Sequence, residues 1–177
     1  MKHSNEQRLE DLYETLTRRA ALLLTGERLS HTLEPAALVN EAWIRVSGSD
    51  NPKLENDAYL FATVVRAMRR VLVDHARDRL TLRRGGPRRH RVSLTSRDFG
   101  VEFELDDMID FDAALAELDE IDPDVAKVVE LRFLGGLTVE ETAVVVGCSP
   151  RTVKRDWAWA RAWLYRRLRP DDREAED

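Results

Sequence analysis

Residues 137–157, LTVEETAVVVGCSPRTVKRDW, constrain the fold more than any other stretch. They read as a short helix, a glycine turn and a second helix with a basic outer face, which is the pattern of a helix-turn-helix. Ala143 is small where two helices must cross closely. Gly147 can take the left-handed conformation that ends the first helix. Ser149 is a good N-cap and Pro150 suits the first helical position. Val153 falls where the second helix faces the first, and Lys154 and Arg155 then point outward. All of these in register predict a helix placed in a DNA major groove. The competing reading is a helical hairpin used only for packing.

The rest of the chain must be compatible with that element. At 177 residues it makes one large domain or two small ones. With 43% hydrophobic and 34% charged residues, 8 glycines and 6 prolines, it is expected to be soluble and helix-prone. No apolar run approaches the roughly 18 residues of a membrane span. The N-terminus lacks an apolar signal segment, so a cytoplasmic location is expected. The single cysteine, Cys148, excludes an internal disulfide framework and fits a reducing compartment. In the turn it reads as a small packing residue.

A net charge of −5 sits oddly with DNA binding until it is resolved along the chain. Residues 81–97 carry six arginines and no acid; residues 98–124 carry 12 acids and no base. Residues 150–169 carry seven basic groups and one acid, Asp156. Charge is sorted, with the second helix of the helix-turn-helix strongly basic. The acidic average weakens non-specific affinity, as suits a protein that a partner delivers to DNA.

The pattern predicts an all-α fold of two small helical domains joined by a charged linker. The first spans residues 5–80. Leu9, Leu12, Tyr13, Leu16, Ala20 and Leu23 recur at helical spacing. A second helix begins at Pro35, followed by turn chemistry at residues 48–52. Asn56 is the expected cap of a third helix to about Arg79, with Phe61, Val64, Val65, Met68, Leu72, His75 and Ala76 on one stripe. Residues 81–110 read as a flexible linker, because their arginines, acids and glycines offer no core face. The second domain spans residues 111–169, with Asp122 capping a helix that starts at Pro123. No strand pattern of useful length and no internal repeat is found.

Taken in order, these segments resemble a bacterial sigma factor of the sigma-70 family, and within it the extracytoplasmic-function (ECF) group, which keeps the second and fourth sigma domains. HTLEPAALVNEAWIRV resembles the helix that docks on the clamp coiled coil of RNA polymerase. DAYLFATVVRAMRRVLVDHARDR resembles the helices that melt and read the −10 promoter element. The helix-turn-helix resembles the −35 reader. The resemblance runs from about Leu12 to Leu168. It implies core RNA polymerase, double-stranded promoter DNA and a melted −10 strand as partners, with an inhibitory anti-sigma protein a further candidate.

The residues themselves suggest how each segment would work. In the docking helix Leu38, Ala42 and Val46 can serve the core, while Asn40, Glu41, Ile44 and Arg45 are candidates for a partner face. Trp43 fits either a core anchor or an interface hot spot. With Leu38 included, these six form the expected polymerase-binding set: Leu38, Asn40, Glu41, Trp43, Ile44 and Arg45. Opening DNA needs positive charge for phosphates and rings for an unstacked base. Arg66, Arg69, Arg70 and Arg77 offer the charge, Tyr59 and Phe61 the rings. The alternative is a solvated arginine face over a buried Phe61. In the recognition helix Ser149, Arg151, Thr152, Lys154, Arg155, Ala158 and Trp159 are the expected DNA-binding residues, since arginine can pair bidentately with guanine. Val153, Trp157, Ala160, Leu164 and Leu168 should pack inward. The acidic stretch 98–110 could serve as a solvated tether or fold back on the basic recognition helix.

Catalysis finds no support in the sequence. Gly85-Gly86 lacks the Lys-Ser/Thr of a phosphate loop. His3, His31, His75 and His90 have no metal-ligand spacing. No catalytic residue, metal or cofactor is expected, and His75 reads as a hydrogen-bonded core residue. A stand-alone helix-turn-helix regulator and a purely protein-binding helical adaptor remain the alternative functions. Co-purification with core polymerase separates the sigma factor from the first alternative. Salt-dependent promoter binding separates both from the second.

Overall fold

The fold is that of a computed structural model, which describes residues 2–24, 33–47, 56–83, 93–95 and 102–168, with the backbone alone for 2–6, 82–83, 93–95, 102–104 and 106. Seven helices dominate: α1 (Lys2–Leu23), α2 (Pro35–Ser47), α3 (Asp57–Arg83), α4 (Met108–Ile121), α5 (Pro123–Val129), α6 (Val139–Val146) and α7 (Pro150–Leu168). The fold class is all-α, as expected. The expected turn at 48–52 and the arginine-glycine run at 84–92 lie outside the described residues.

The first three helices pack as the apolar spacing requires. Leu16, Ala20 and Leu23 of α1, Leu38, Val39 and Ala42 of α2, and Val64, Val65, Met68 and Leu72 of α3 are buried together. Asn56 caps α3 as expected, its Oδ1 accepting from the Tyr59 amide at 3.0 Å. The helix runs four residues beyond the expected end, to Arg83.

Two features depart from the expected structureless linker. Ser93–Thr95 (β1) and Glu102–Glu104 (β2) pair as a short antiparallel ribbon, with Leu94 opposite Phe103. Three residues per strand are too few for a period of two to emerge in a sequence. A 3₁₀ turn at Leu105–Asp107 then leads into α4, which begins at Met108 rather than near Phe111. Leu105 and Met108 are buried. The spacing of Leu105, Met108, Phe111 and Leu115 is helical, an apolar face running beneath the acidic surface of this stretch.

The last four helices form the second block. Asp122 caps α5, accepting from the amides of Asp124 and Val125 at 3.1 and 3.2 Å, with Pro123 at the first turn. The helix does not end at Val129 but widens into a π turn over Glu130–Leu134, closed by a bond from the Gly135 amide to the Glu130 carbonyl. Arg132 is buried there. It donates to the Leu137 carbonyl at 2.7 Å and lies 5.3 Å from the centre of the Trp157 ring. Phe111 and Phe133 pack with ring centres 4.7 Å apart. Arg167 of α7 forks onto Glu117 of α4 at 2.9 and 2.6 Å. That hydrogen bond, with the charge behind it, raises the Arg167 pKa above the usual guanidinium value.

The two blocks share one continuous core. The π turn and the Gly135-Gly136 corner receive two side chains from the first block. Phe61 of α3 lies against Gly135, where an added Cβ would stand 3.1 Å from its ring and 2.7 Å from the Leu131 carbonyl. Arg19 of α1 donates to the Gly136 carbonyl and reaches Glu141 at 3.3 Å.

Candidate nucleic-acid interface

The helix-turn-helix is built as its sequence requires. Thr138 and Glu141 form a reciprocal capping box at the start of α6. Gly147 ends that helix at φ 79°, a left-handed conformation that other residues adopt only with strain. The amides of Gly147 and Cys148 both reach the Ala143 carbonyl, at 2.9 and 3.0 Å. Ala143 is buried at the crossing. Ser149 then caps α7, its hydroxyl accepting from the Thr152 amide at 3.1 Å and bonding the Thr152 hydroxyl at 2.8 Å.

Helix α7 divides into two faces. Val153, Trp157, Ala160 and Leu164 are buried and Leu168 half-buried. Ser149, Arg151, Lys154, Arg155, Ala158 and Trp159 are exposed and Thr152 half-exposed, so the expected recognition residues share one accessible surface. Trp159 stacks on Trp163, with ring centres 6.5 Å apart and planes at 21°. One residue was missed. Asp156, the lone acid of this basic helix, lies inward at 9% exposure and holds Arg155 through Nε and Nη2, both at 2.8 Å from Oδ1. Its spacing from Val153 and Ala160 already marked it as a core-facing position.

The arginines expected at the −10 element are placed differently. Arg66 and Arg69 of α3 both turn toward Glu130 in the π turn of the second block, at 3.3 and 3.2 Å, and Arg69 also lies 3.4 Å from Asp112. Glu130 is 5% exposed, so this carboxylate is held almost wholly out of water between two guanidinium groups. Tyr59, Thr63, Arg66, Lys127 and Glu130 line a cleft of about 560 Å³ where α3 meets the second block. Arg70 and Arg77 are exposed, and Arg77 lies 3.8 Å from Asp74 one turn earlier. Tyr59 is 39% exposed. Phe61 corrects the expectation: at 6% exposure it is a core residue of the joint between blocks, and its ring has no open face for a base in this arrangement. Glu130 was not foreseen, although it is an isolated acid in the otherwise apolar and basic run 125–137.

The expected docking helix is sorted more finely than its sequence was. Leu38 corrects the expectation, since at 0% exposure it belongs to the core and has no surface for a partner. Ile44, by contrast, is 73% exposed. Asn40 accepts from the Tyr13 hydroxyl at 2.8 Å, and Trp43 is half-buried with its ring edge-on to Tyr13. Arg45 pairs with Asp74 at 3.0 Å and His75 lies 3.4 Å from Glu41, so both polar groups tie α2 to α3. His75 is hydrogen-bonded as expected, but it is half-buried and not a core residue.

Among the described residues no group of three His, Cys, Asp or Glu side chains could hold a metal, and no helix is long and apolar enough to cross a membrane. What the surface offers is a helix-turn-helix with an open cationic face and a first helical block carrying a partly engaged arginine row. The model of the ECF sigma factor family matches residues 2–170, nearly the whole chain, and the protein belongs to that family. No curated protein and no solved structure matches it. As a sigma factor it serves transcription initiation with RNA polymerase and promoter DNA.

Proposed function

We propose that the protein reads the −35 element with α7, holds the opened −10 strand with α3, and docks on core polymerase through α2. The observation that carries this reading is the open face of α7. Arg151, Lys154 and Arg155 stand together on the side opposite the buried Val153, Trp157 and Ala160, at the N-terminal end that enters a major groove. Ser149, Thr152, Ala158 and Trp159 complete that surface. In the −10 region the charge comes from Arg66, Arg69, Arg70 and Arg77, and the ring from Tyr59. Arg66 and Arg69 exchange Glu130 for phosphate when the blocks separate. On α2 the apolar anchor is Ile44, flanked by Asn40, Glu41, Trp43 and Arg45. The functional division into residues 5–80, a linker at 81–110 and residues 111–169 follows from the same reading, as does work in the cytoplasm beside the polymerase. An anti-sigma protein would act by covering these surfaces.

The test is run-off transcription with purified core polymerase on genomic promoter fragments. Defined start sites that depend on the protein support the reading. Absence of initiation, with core binding intact, refutes the promoter assignment. Ile44→Arg should abolish co-purification with core enzyme while helix content holds; normal co-purification of that variant would move the docking site off α2.

A further inference from the structure

Asp156 needs an explanation that stability does not supply. A carboxylate taken nine-tenths out of water costs free energy unless it is paired, and an apolar residue in its place would serve the core at least as well. On a helix that approaches phosphates it also subtracts from the attraction. It pairs with Arg155, whose Nε and Nη2 both lie 2.8 Å from Oδ1, while the Arg155 side chain stays 76% exposed. Asp156 is itself too buried to reach a base.

We propose that Asp156 is a positioning residue that makes Arg155 a base reader rather than a phosphate anchor. The inference rests on the −35 reading above and deepens it. A free arginine samples many rotamers and finds phosphates easily, because any approach to a charge is favourable. Forked onto a fixed carboxylate, its guanidinium plane is set before DNA arrives. The Nε–Nη2 edge is occupied, which leaves the Nη1–Nη2 edge to meet O6 and N7 of one guanine. The carboxylate also offsets part of the positive charge, so the pair gains less from backbone phosphates and relies more on base geometry. Asp156 thereby exchanges general affinity for discrimination at one base pair.

The experiment uses the full chain with core polymerase on a promoter whose −35 base pairs are replaced one at a time, together with binding of the full chain to scrambled duplex. Arg155→Ala should lose roughly tenfold discrimination at one position. Asp156→Asn should lose discrimination several-fold at that same position, yet bind scrambled duplex more tightly, since one negative charge is gone. In the Arg155→Ala background Asp156→Asn should change nothing at that position. A purely structural role would lower specific and scrambled binding together, or give the same loss without Arg155; either result overturns the proposal. Arg155→Lys guards against a folding defect, because it touches an exposed side chain only. It keeps the charge but cannot fork, and should lose discrimination as fully as alanine. Retained discrimination in that variant also overturns the proposal. If Arg155 variants are silent while Arg151→Ala and Lys154→Ala are not, Asp156 has no role of this kind and the −35 reading stands. If all three positions are silent, the −35 reading itself has failed.

Discussion

The two arginine-bearing helices of this protein stand in opposite states. At the N-terminal end of α7 Arg151, Lys154 and Arg155 face outward, and Arg155 is tied to its own neighbour, Asp156. On α3, Arg66 and Arg69 cross to the other block and share the buried Glu130. The first surface is open to solvent as it stands. The second is partly closed by the protein itself. The difference lies in what the neighbouring element supplies. The turn before α7 ends in a glycine and a cap that leave its first residues exposed. The π turn after α5 instead aims an acid at α3. In this arrangement the charge that meets Arg66 and Arg69 comes from Glu130 and Asp112 in the folded block, whereas the side chains at 98–104 lie outside the described residues.

The largest effect is expected on the open surface. Replacing Arg151, Lys154 and Arg155 together by alanine should abolish −35-dependent transcription, since each good base contact contributes about 1–3 kcal/mol of discrimination. Loss of a phosphate contact would weaken all promoters alike and flatten the salt dependence instead. Unchanged run-off transcription from such promoters would mean that the exposed face of α7 is not the reader, and the contrast between the helices would vanish.

On the closed surface the signs should split. Glu130→Gln removes the carboxylate that holds Arg66 and Arg69, and should cost about 1–3 kcal/mol in urea unfolding. That is less than the loss of a fully buried pair, because Arg66 is 51% exposed. The same change should tighten capture of a single-stranded −10 oligonucleotide by the free protein, while duplex −35 binding stays as it was. Destabilisation without tighter strand capture would show that Glu130 only supports the fold and does not compete with DNA.

How much of this was legible in the sequence follows the range of the interactions. The helix-turn-helix could be read nearly residue by residue, because Thr138, Ala143, Gly147, Ser149 and Val153 act within one or two turns of themselves. The inward row of α7 is legible for the same reason, and the spacing of Asp156 puts it in that row although its charge argues for the surface. By spacing Leu38 fits both the core and a partner face, since helical spacing gives a direction but not the neighbour that covers it. The partners of Phe61, Arg66 and Arg69 could not be read, because Gly135, Glu130 and Asp112 are far away in sequence and nothing local specifies the pairing. The ribbon at 93–95 and 102–104 is a long-range pairing of two very short segments. The burial of Leu105 and Met108 was legible in their spacing but hidden under an acidic composition.

The smallest effects separate the joint from the turn. Gly147 is left-handed, yet nothing lies within 4 Å of an added Cβ, so Gly147→Ala meets backbone strain alone, about 1 kcal/mol. At Gly135 an added Cβ would stand 2.7 Å from a backbone oxygen and 3.1 Å from the Phe61 ring. Neither neighbour is the free end of a flexible side chain, so the π turn must distort and the Phe61 ring of α3 must shift, at about 1–3 kcal/mol. For a chain of this size 1 kcal/mol shifts Tm by about 2–4 °C. Gly135→Ala should therefore melt lower than Gly147→Ala. It should also loosen the grip of Glu130 on α3 and so increase −10 strand capture, which Gly147→Ala leaves untouched. If the two variants melt alike and neither changes strand capture, the blocks are not held at this corner, and the closed state of α3 rests on its ion pairs alone.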